Sequence, residues 1–189
     1  IYNYYMNKNF KKKILIFVFL IIIYLISLPS YYSYLPTIPV YDNNEAYEVE
    51  KMTKSRDYDM VEFFKITNTG ISHVFANHVN ESIHDLDVMQ YNMSYIYLPL
   101  KWLINRPRPY QINSNIDYCN THTGKSPSMP AGHAFHAYYL SKVLSKKYPE
   151  KKELFEKIAK KCDDCRVYAG IHYPSDGEFS KKIVDLLYI

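Results

Sequence analysis

The sequence lacks the features that mark several classes of protein. It has no internal repeat, no low-complexity tract and no stretch where polar and apolar residues alternate as in a β-strand. It has one long apolar run, whereas a multi-pass membrane protein has several, and its mean hydropathy of −0.31 also argues against that class. Only 22% of its 189 residues are charged and 48% are hydrophobic, a composition that excludes a disordered chain. An all-α globular domain is the expected fold class.

Charge of one sign and cysteine are also sparse. The formal net charge is +4, and its lysines are mixed with acidic residues, so we expect no nucleic-acid partner. The three cysteines are Cys119, Cys162 and Cys165. The spacing of the last two fits a redox pair or half of a zinc site. No second C-x-x-C and no neighbouring His-x-His accompanies them, so we predict neither a metal site nor a cofactor.

The one long apolar run lies within residues 1–34. Three lysines at 11–13 precede 15 largely apolar residues at 14–28, a pattern typical of a secretory signal. A membrane-spanning helix usually needs about 18 to 20 residues, but no clean cleavage site follows the run. A cleaved signal peptide and an uncleaved membrane anchor are therefore both expected alternatives, and a buried core helix is less favoured. In either membrane case residues 35–189 are exported or anchored on the non-cytoplasmic side.

Apolar periodicity predicts helices throughout residues 35–189. The expected helices cover residues 44–54, 57–67, 80 to about 103, 133–147, 149–168 and 174 to the end. In the third helix, apolar residues from Leu86 to Leu103 recur every three or four positions, which predicts a buried stripe. Pro99 interrupts this stripe and should kink the helix or end it early.

Three short stretches in the last third of the chain carry the candidate chemistry. They are K-W-L-I-N-R-P-R-P at residues 101–109, P-A-G-H at 130–133 and R-V-Y-A-G-I-H-Y-P-S-D at 166–176. Phosphoryl transfer spreads negative charge over three oxygens, so it needs fixed cations, an in-line nucleophile and an acid for the leaving group. The three stretches supply these groups, and together they predict a single phosphate site.

The first stretch offers two cations. Lys101 and Arg108 are seven residues apart, about two helical turns, so one helix could present both toward one side. Pro109 is expected to end that helix. The planar guanidinium of Arg108 suits a pair of phosphate oxygens.

The other two stretches offer two histidines. Gly132 precedes a helix whose first backbone N–H groups attract anions, and His133 in its first turn suits a general acid. Asp176 follows His172 by four residues and can accept a hydrogen bond from one imidazole nitrogen. The other nitrogen is then left as a nucleophile.

The joint pattern Lys-x6-Arg-Pro, Pro-x-Gly-His and Arg-x5-His-x3-Asp resembles the type 2 phosphatidic acid phosphatase superfamily. That superfamily includes the bacterial class A non-specific acid phosphatases and the vanadium haloperoxidases. The sequence is most similar to the class A acid phosphatases, through Cys-Asn-Thr at 119–121 and a Leu-Pro-rich stretch at 35–39 before an acidic helix. The resemblance covers residues 35–189 and implies a helical bundle of the acid phosphatase and haloperoxidase type.

The resemblance also implies a role for each matching residue. His172 would form a phosphohistidine, Asp176 would orient it and His133 would protonate the leaving alkoxide. The positions implied to bind phosphate oxygens are Lys101, Arg108, Ala131, Gly132 and Arg166. The implied activity is metal-independent hydrolysis of phosphate monoesters, with phosphorylated small molecules, including lipid phosphates, as substrates.

Two positions depart from the family pattern. Ala131 stands where the family usually has serine, and Cys165 replaces the serine before Arg166. A lost neutral hydrogen bond costs about 0.5 to 1.5 kcal/mol, so Ala131 predicts a slower enzyme. It also motivates an alternative, a membrane-tethered pseudoenzyme that binds phosphorylated ligands. A lipid-phosphate phosphatase and a vanadate haloperoxidase are less favoured, because the first usually has several membrane spans and the second a much longer chain.

Overall fold

A computed structural model describes Phe19 and residues 41–188 of the chain. The chain divides into two compact units, Ile1–Ile38 and Pro39–Ile189. Apart from Phe19, the apolar run at 14–28 lies outside the described residues. No helix among the described residues is long and apolar enough to cross a membrane.

The described part of the second unit is built from helices, so the predicted all-α class is confirmed. Its α-helices, in order, are α1 (Glu45–Lys54), α2 (Tyr58–Thr69), α3 (Ser72–Ala76), α4 (Ile83–Gln90), α5 (Ser94–Ile104), α6 (Pro109–Ile112), α7 (Gly132–Lys147), α8 (Lys152–Tyr168) and α9 (Pro174–Leu187). Short 3-10 turns cover Tyr91–Met93, His122–Lys125 and Pro149–Lys151.

The main core lies where α7 packs against α8 and α9. Phe135 and Leu144 on α7, Phe155 on α8 and Val184 on α9 are all fully buried in one cluster. Burying an aliphatic or aromatic side chain of this size contributes about 1.5 to 3 kcal/mol. This contact holds the start of α7 next to the start of α9, which brings two of the three sequence motifs together.

Local signals set most of the helix ends as expected. The side chain of Asp57 caps α2 by accepting from the backbone N–H of Met60 at 2.7 Å. Pro174 opens α9 at its first turn, where a missing N–H costs nothing. Gly170 follows α8 with φ +73°, and a Cβ there would lie 2.7 Å from Ile116 Cγ2. Only glycine fits this turn, which carries the chain from α8 toward His172.

The single long helix predicted from residue 80 to about 103 is wrong. Ser82, not Asn80, caps α4 in a capping box with Asp85, and the helix breaks at the 3-10 turn Tyr91–Met93. Pro99 neither opens nor ends α5, which continues past it to Ile104. The buried stripe does begin at Leu86, which is fully buried. Leu103 is 61% exposed, so the stripe does not reach the end of α5.

Candidate functional site

Residues from all three motifs meet at one cavity of about 520 Å³. The predicted site residues that line it are Lys101, Arg108, Gly132, His133 and His172. The aromatic and aliphatic side chains of Tyr97, Leu98 and Trp102 form part of the same wall. The other three predicted residues, Ala131, Arg166 and Asp176, do not line the cavity and lie behind or beside its wall.

His172 and Asp176 form a buried pair at the start of α9. The glycine turn at residue 170 and Pro174 fix the backbone, so Asp176 falls in the first turn of the helix. Asp176 Oδ2 lies 2.9 Å from His172 Nδ1 and also accepts from the backbone N–H of Tyr173 at 3.0 Å. Burial alone would raise the pKa of Asp176, but the hydrogen bond from His172 and the charge of Arg106 lower it to about 2. The carboxyl group is therefore ionised at any ordinary pH.

The partners of His172 determine which of its nitrogens carries the proton. Arg108 Nη1 lies 3.0 Å from His172 Nε2. A guanidinium has only donors, so Nε2 accepts and Nδ1 holds the proton that is donated to Asp176. Burial, and then the charge of Arg108, lower the pKa of His172 to about 3. The imidazole is therefore neutral, with a lone pair on Nε2.

Lys101 and Arg108 reach the cavity by different routes, and the prediction that one helix presents both is wrong. Helix α5 ends at Ile104, and Asn105 takes a left-handed conformation with φ 50°. Arg108 is the residue before α6, and Pro109 begins that helix instead of ending one. Both side chains reach one site because the helix ends before Asn105 and the loop after it carries Arg108 to the cavity.

Backbone carbonyl groups hold both cations in place. Lys101 Nζ donates to the carbonyl oxygen of Pro127 at 2.7 Å, and Arg108 Nη1 donates to that of Ile171 at 2.6 Å. Arg108 Nε also donates to the carbonyl of Ser126 at 2.9 Å. Burial and the neighbouring charge of Arg108 lower the pKa of Lys101 to about 7. Lys101 therefore gains or loses its charge near neutral pH.

The start of α7 forms the wall opposite these cations. Ala131 precedes the helix with an extended backbone, and His133 lies in the first turn. Burial, and then the positive charges of Arg166 and other neighbours, hold the pKa of His133 well below its usual value. A Cβ added to Gly132 would lie 2.9 Å from Tyr97 Cε2. Glycine therefore lets the Tyr97 ring approach the helix start closely.

Arg166 is fully buried next to the site and does not line the cavity. Its Nη2 donates to Thr67 Oγ1 at 2.6 Å, and its guanidinium lies 4.6 Å from the centre of the Phe64 ring. Its Nε is buried and has no hydrogen-bond partner among the described residues. Arg166 thus contributes positive charge beside His133 from behind the wall.

Two residues of the site were missed by the sequence analysis. Arg106 forms a buried ion pair with Asp176 at 2.8 Å. Ser128 Oγ donates to Asp176 Oδ2 and lies 3.4 Å from His172 Nδ1. The signal for Arg106 was its place in the first motif, two positions before Arg108. Ser128 carried no comparable signal, because only the folded loop brings it to Asp176.

The described residues include no cluster of His, Cys, Asp and Glu arranged to hold a metal ion. The three cysteines are free, and the Cys165 thiol donates to the Cys162 carbonyl at 3.1 Å within α8. Cys162 and Cys165, the two cysteines of the C-x-x-C motif, therefore form no disulfide.

One protein-family model matches part of the chain. The family model described as the PAP2 superfamily matches residues 88–160, which include Lys101, Arg108 and His133. This part of the chain is therefore similar to the PAP2 superfamily, the type 2 phosphatidic acid phosphatase superfamily.

The fold agrees with that of a solved PAP2 structure. It resembles the crystal structure of a transmembrane PAP2-type phosphatidylglycerolphosphate phosphatase from Bacillus subtilis, with a TM-score of 0.52 and 19% sequence identity. The alignment covers 80% of this chain and 86% of that one. No curated protein matches the chain. The fold is therefore similar to that of a PAP2-type phosphatase.

Proposed function

We propose that this protein hydrolyses phosphate monoesters through a covalent phosphohistidine at His172, without a metal ion. The observation that carries the proposal is the state of the His172 ring. Its Nδ1 proton is held by Asp176, and its Nε2 lone pair lies beside Arg108 on the wall of a cavity that Lys101 also lines. A fixed tautomer that leaves Nε2 unprotonated is what a histidine nucleophile requires.

The first chemical step would proceed at Nε2. The lone pair of His172 Nε2 attacks phosphorus, a nitrogen–phosphorus bond forms, and the bond from phosphorus to the ester oxygen breaks. His133 gives its proton to the departing alkoxide. Lys101 and Arg108 stabilise the charge that spreads over the phosphate oxygens. The Gly132 N–H is the other group we assign to those oxygens, and Ala131 offers no hydroxyl. Arg166, predicted to bind them as well, does not line the cavity, so we assign it only a positive charge beside His133.

The second step returns the enzyme to its starting state. A water molecule attacks phosphorus while His133 takes its proton, and the nitrogen–phosphorus bond breaks. His172 regains its neutral form, with its Nδ1 proton still held by Asp176. The dianionic phosphate would raise the low pKa of His133, because a nearby negative charge favours the protonated imidazole. His133 can then act first as acid and then as base.

The N-terminal pattern bears on where this chemistry occurs. The basic flank and apolar run at 14–28 support export of residues 35–189, or their attachment to a membrane, with the site on the non-cytoplasmic side. Protease digestion of sealed cells that express the full chain would test this. Protection of residues 35–189 on the cytoplasmic side would contradict it.

The test of the mechanism uses the full chain with p-nitrophenyl phosphate, with and without His172→Ala. We expect turnover without added metal, inhibition by vanadate and loss of activity in the variant. The control is His84→Ala, which removes an exposed histidine of α4 that lies outside all three motifs. Rapid quenching should trap an acid-labile, base-stable phosphohistidine. A folded protein that binds phosphate but forms no phosphohistidine would instead support the pseudoenzyme alternative.

A second candidate, a phosphatase acting on lipid phosphates, is favoured by an exposed apolar face beside the cavity. Its residues recur every three or four positions along α5 and are Tyr95, Leu98 and Trp102. Tyr95 is 69% exposed and Trp102 is 64% exposed, and Leu98 and Trp102 also line the cavity. A substrate with a phosphate head and an apolar chain could place the head on the cations and the chain along this face.

Trp102→Ser separates the two candidate substrate classes. For a lipid-phosphate phosphatase, kcat/KM for a long-chain phosphate monoester should fall about tenfold or more while that for p-nitrophenyl phosphate stays the same. The matched control is Leu186→Ser, which removes a leucine that is 70% exposed on α9. Equal effects on the two substrates would favour soluble monoesters.

A further inference from the structure

We propose that Arg106 is a positioning residue, which fixes the carboxylate of Asp176 so that one oxygen is kept for His172. This inference rests on the proposed role of His172 as nucleophile. Arg106 lies in the loop between α5 and α6 and is completely buried. It does not line the cavity that Arg108 and His172 line. We therefore assign it an effect on the reaction only through Asp176.

The two oxygens of the Asp176 carboxylate have different partners. Oδ2 accepts from His172 Nδ1, from Ser128 Oγ and from the backbone N–H of Tyr173. Oδ1 accepts from Arg106 Nη1 at 2.8 Å. Because the guanidinium occupies Oδ1, the carboxylate cannot rotate without breaking a charge-assisted hydrogen bond. Oδ2 therefore stays directed at the imidazole.

Arg106 is itself held by groups on the segment before α1 and on α1. Its Nη2 donates to the carbonyl of Asp42 at 2.9 Å and lies 3.6 Å from Glu45 Oε1. Its Nη1 also donates to Ser175 Oγ at 2.6 Å, and that hydroxyl donates to Glu45 Oε2 at 2.7 Å. The network thus joins the start of α1 to the start of α9 through one side chain.

Aromatic rings fix the plane of the guanidinium. Its central carbon lies 3.6 Å from the centre of the Tyr173 ring and 4.7 Å from that of Tyr41. A planar, delocalised cation stacks on such rings and still donates at its edges, whereas an ammonium group cannot do both. The site therefore fits an arginine better than a lysine.

The charge of Arg106 also matters for the state of Asp176, because it helps to keep the pKa of that carboxyl low. The other charged or titratable groups around Asp176 are His172, Arg108, Lys101, Asp163 and Tyr173, and Glu45 faces Arg106. Loss of Arg106 should raise the pKa of Asp176. A protonated Asp176 cannot accept the Nδ1 proton, so activity on the acid side would be lost at a higher pH.

The experiment compares Arg106→Met and Arg106→Lys with the wild-type full chain across a pH series. In Arg106→Met we expect kcat to fall about 10²-fold, as for a misplaced reacting group, with KM little changed. The acid limb of the rate profile should move to higher pH. Arg106→Lys should return the acid limb toward its wild-type position, but recover only part of kcat.

The matched control is Arg56→Met. Arg56 also pairs with a carboxylate, that of Asp117, and donates to the backbone carbonyl of Asp117 at 3.1 Å, away from the cavity. Its loss should leave the pH profile unchanged. The proposal is wrong if folded Arg106→Met keeps the wild-type kcat and acid limb, or if Arg56→Met changes both to the same extent. If Arg106→Met does not fold, wild-type kcat in Arg106→Lys is the outcome that overturns it.

Nitrogen NMR of the His172 ring separates this proposal from the proposed function. The wild type should show a protonated Nδ1 and a bare Nε2 near neutral pH, and Arg106→Met should shift the Nδ1 signal. A wild type without turnover would contradict the proposed function, yet a shifted signal would still support the role of Arg106. An unchanged signal would overturn that role, whatever the activity.

Discussion

Arg108 Nη1 lies 3.0 Å from His172 Nε2, so a cation contacts the same nitrogen that we propose as the nucleophile. Burial and this contact keep the imidazole neutral, and the contact holds the ring at the cavity wall. In this proposal, a phosphate that reaches Nε2 also meets the guanidinium of Arg108, which we assign to its oxygens. Binding of the phosphate and release of the lone pair are therefore linked through a single arginine.

Asp176→Asn should abolish most of the activity without unfolding the protein. The amide group of asparagine can donate to Nδ1, which would move the imidazole proton to Nε2 and remove the lone pair. By analogy with the same change in serine proteases, we expect kcat to fall about 10³- to 10⁴-fold. The measurement is kcat with p-nitrophenyl phosphate.

The control for Asp176→Asn is Asp117→Asn, which changes an exposed carboxylate that pairs with Arg56. This control should keep wild-type kcat. A folded Asp176→Asn variant with more than about a tenth of the wild-type kcat would contradict the role of the tautomer.

The pH dependence of kcat/KM should reflect Lys101. Its pKa is lowered to about 7, so Lys101 is cationic below that pH and neutral above it. Phosphate binding should therefore weaken as the pH rises through about 7, in addition to any loss caused by His133. In Lys101→Arg the charge persists, and the extra fall above about pH 7 should disappear. A wild-type profile that is flat from about pH 6 to pH 8 would count against this assignment.

Gly177→Ala should destabilise the fold. A Cβ at Gly177 would overlap the carboxylate of Asp163, which is buried between α8 and α9. Displacing a packed side chain of this kind costs about 1 to 3 kcal/mol. Gly124→Ala is the control, because its nearest contact, Thr121 Cγ2 at 3.6 Å, is an ordinary one. Equal free energies of unfolding for the two variants in urea would refute the prediction.

Asp163 should make the fold less stable as the pH rises. Burial raises the pKa of its carboxyl from 3.8 to about 7 in the folded protein. Between these values the folded state binds more protons than the unfolded state, so the free energy of unfolding falls with increasing pH. Asp163→Asn removes this titration. The free energy of unfolding of the variant, relative to that of the wild type, should therefore increase from about pH 4 to pH 8 when both are unfolded in urea.

The sequence determined what depends on near neighbours along the chain. Helical periodicity and end signals such as Asp57, Gly170 and Pro174 act within one or two turns, so the all-α class and most helix ends could be predicted. The pairing of His172 with Asp176 could also be predicted, because Asp176 follows His172 by four positions at a helix start. The motif pattern also pointed to Arg108, Gly132 and His133, which line one cavity with His172.

Tertiary structure alone decided how the motifs meet. Lys101 and Arg108 converge because α5 ends before the left-handed Asn105 and the loop after it carries Arg108 to the cavity, and no helical spacing could indicate that. Arg106 and Asp176 are 70 positions apart in the sequence, and Ser128 and Asp176 are 48 apart. Such contacts depend on the packing of α7 against α8 and α9. Packing depends on many weak contacts between residues that are far apart in the sequence. Periodicity and capping depend on a few residues that are close in the chain.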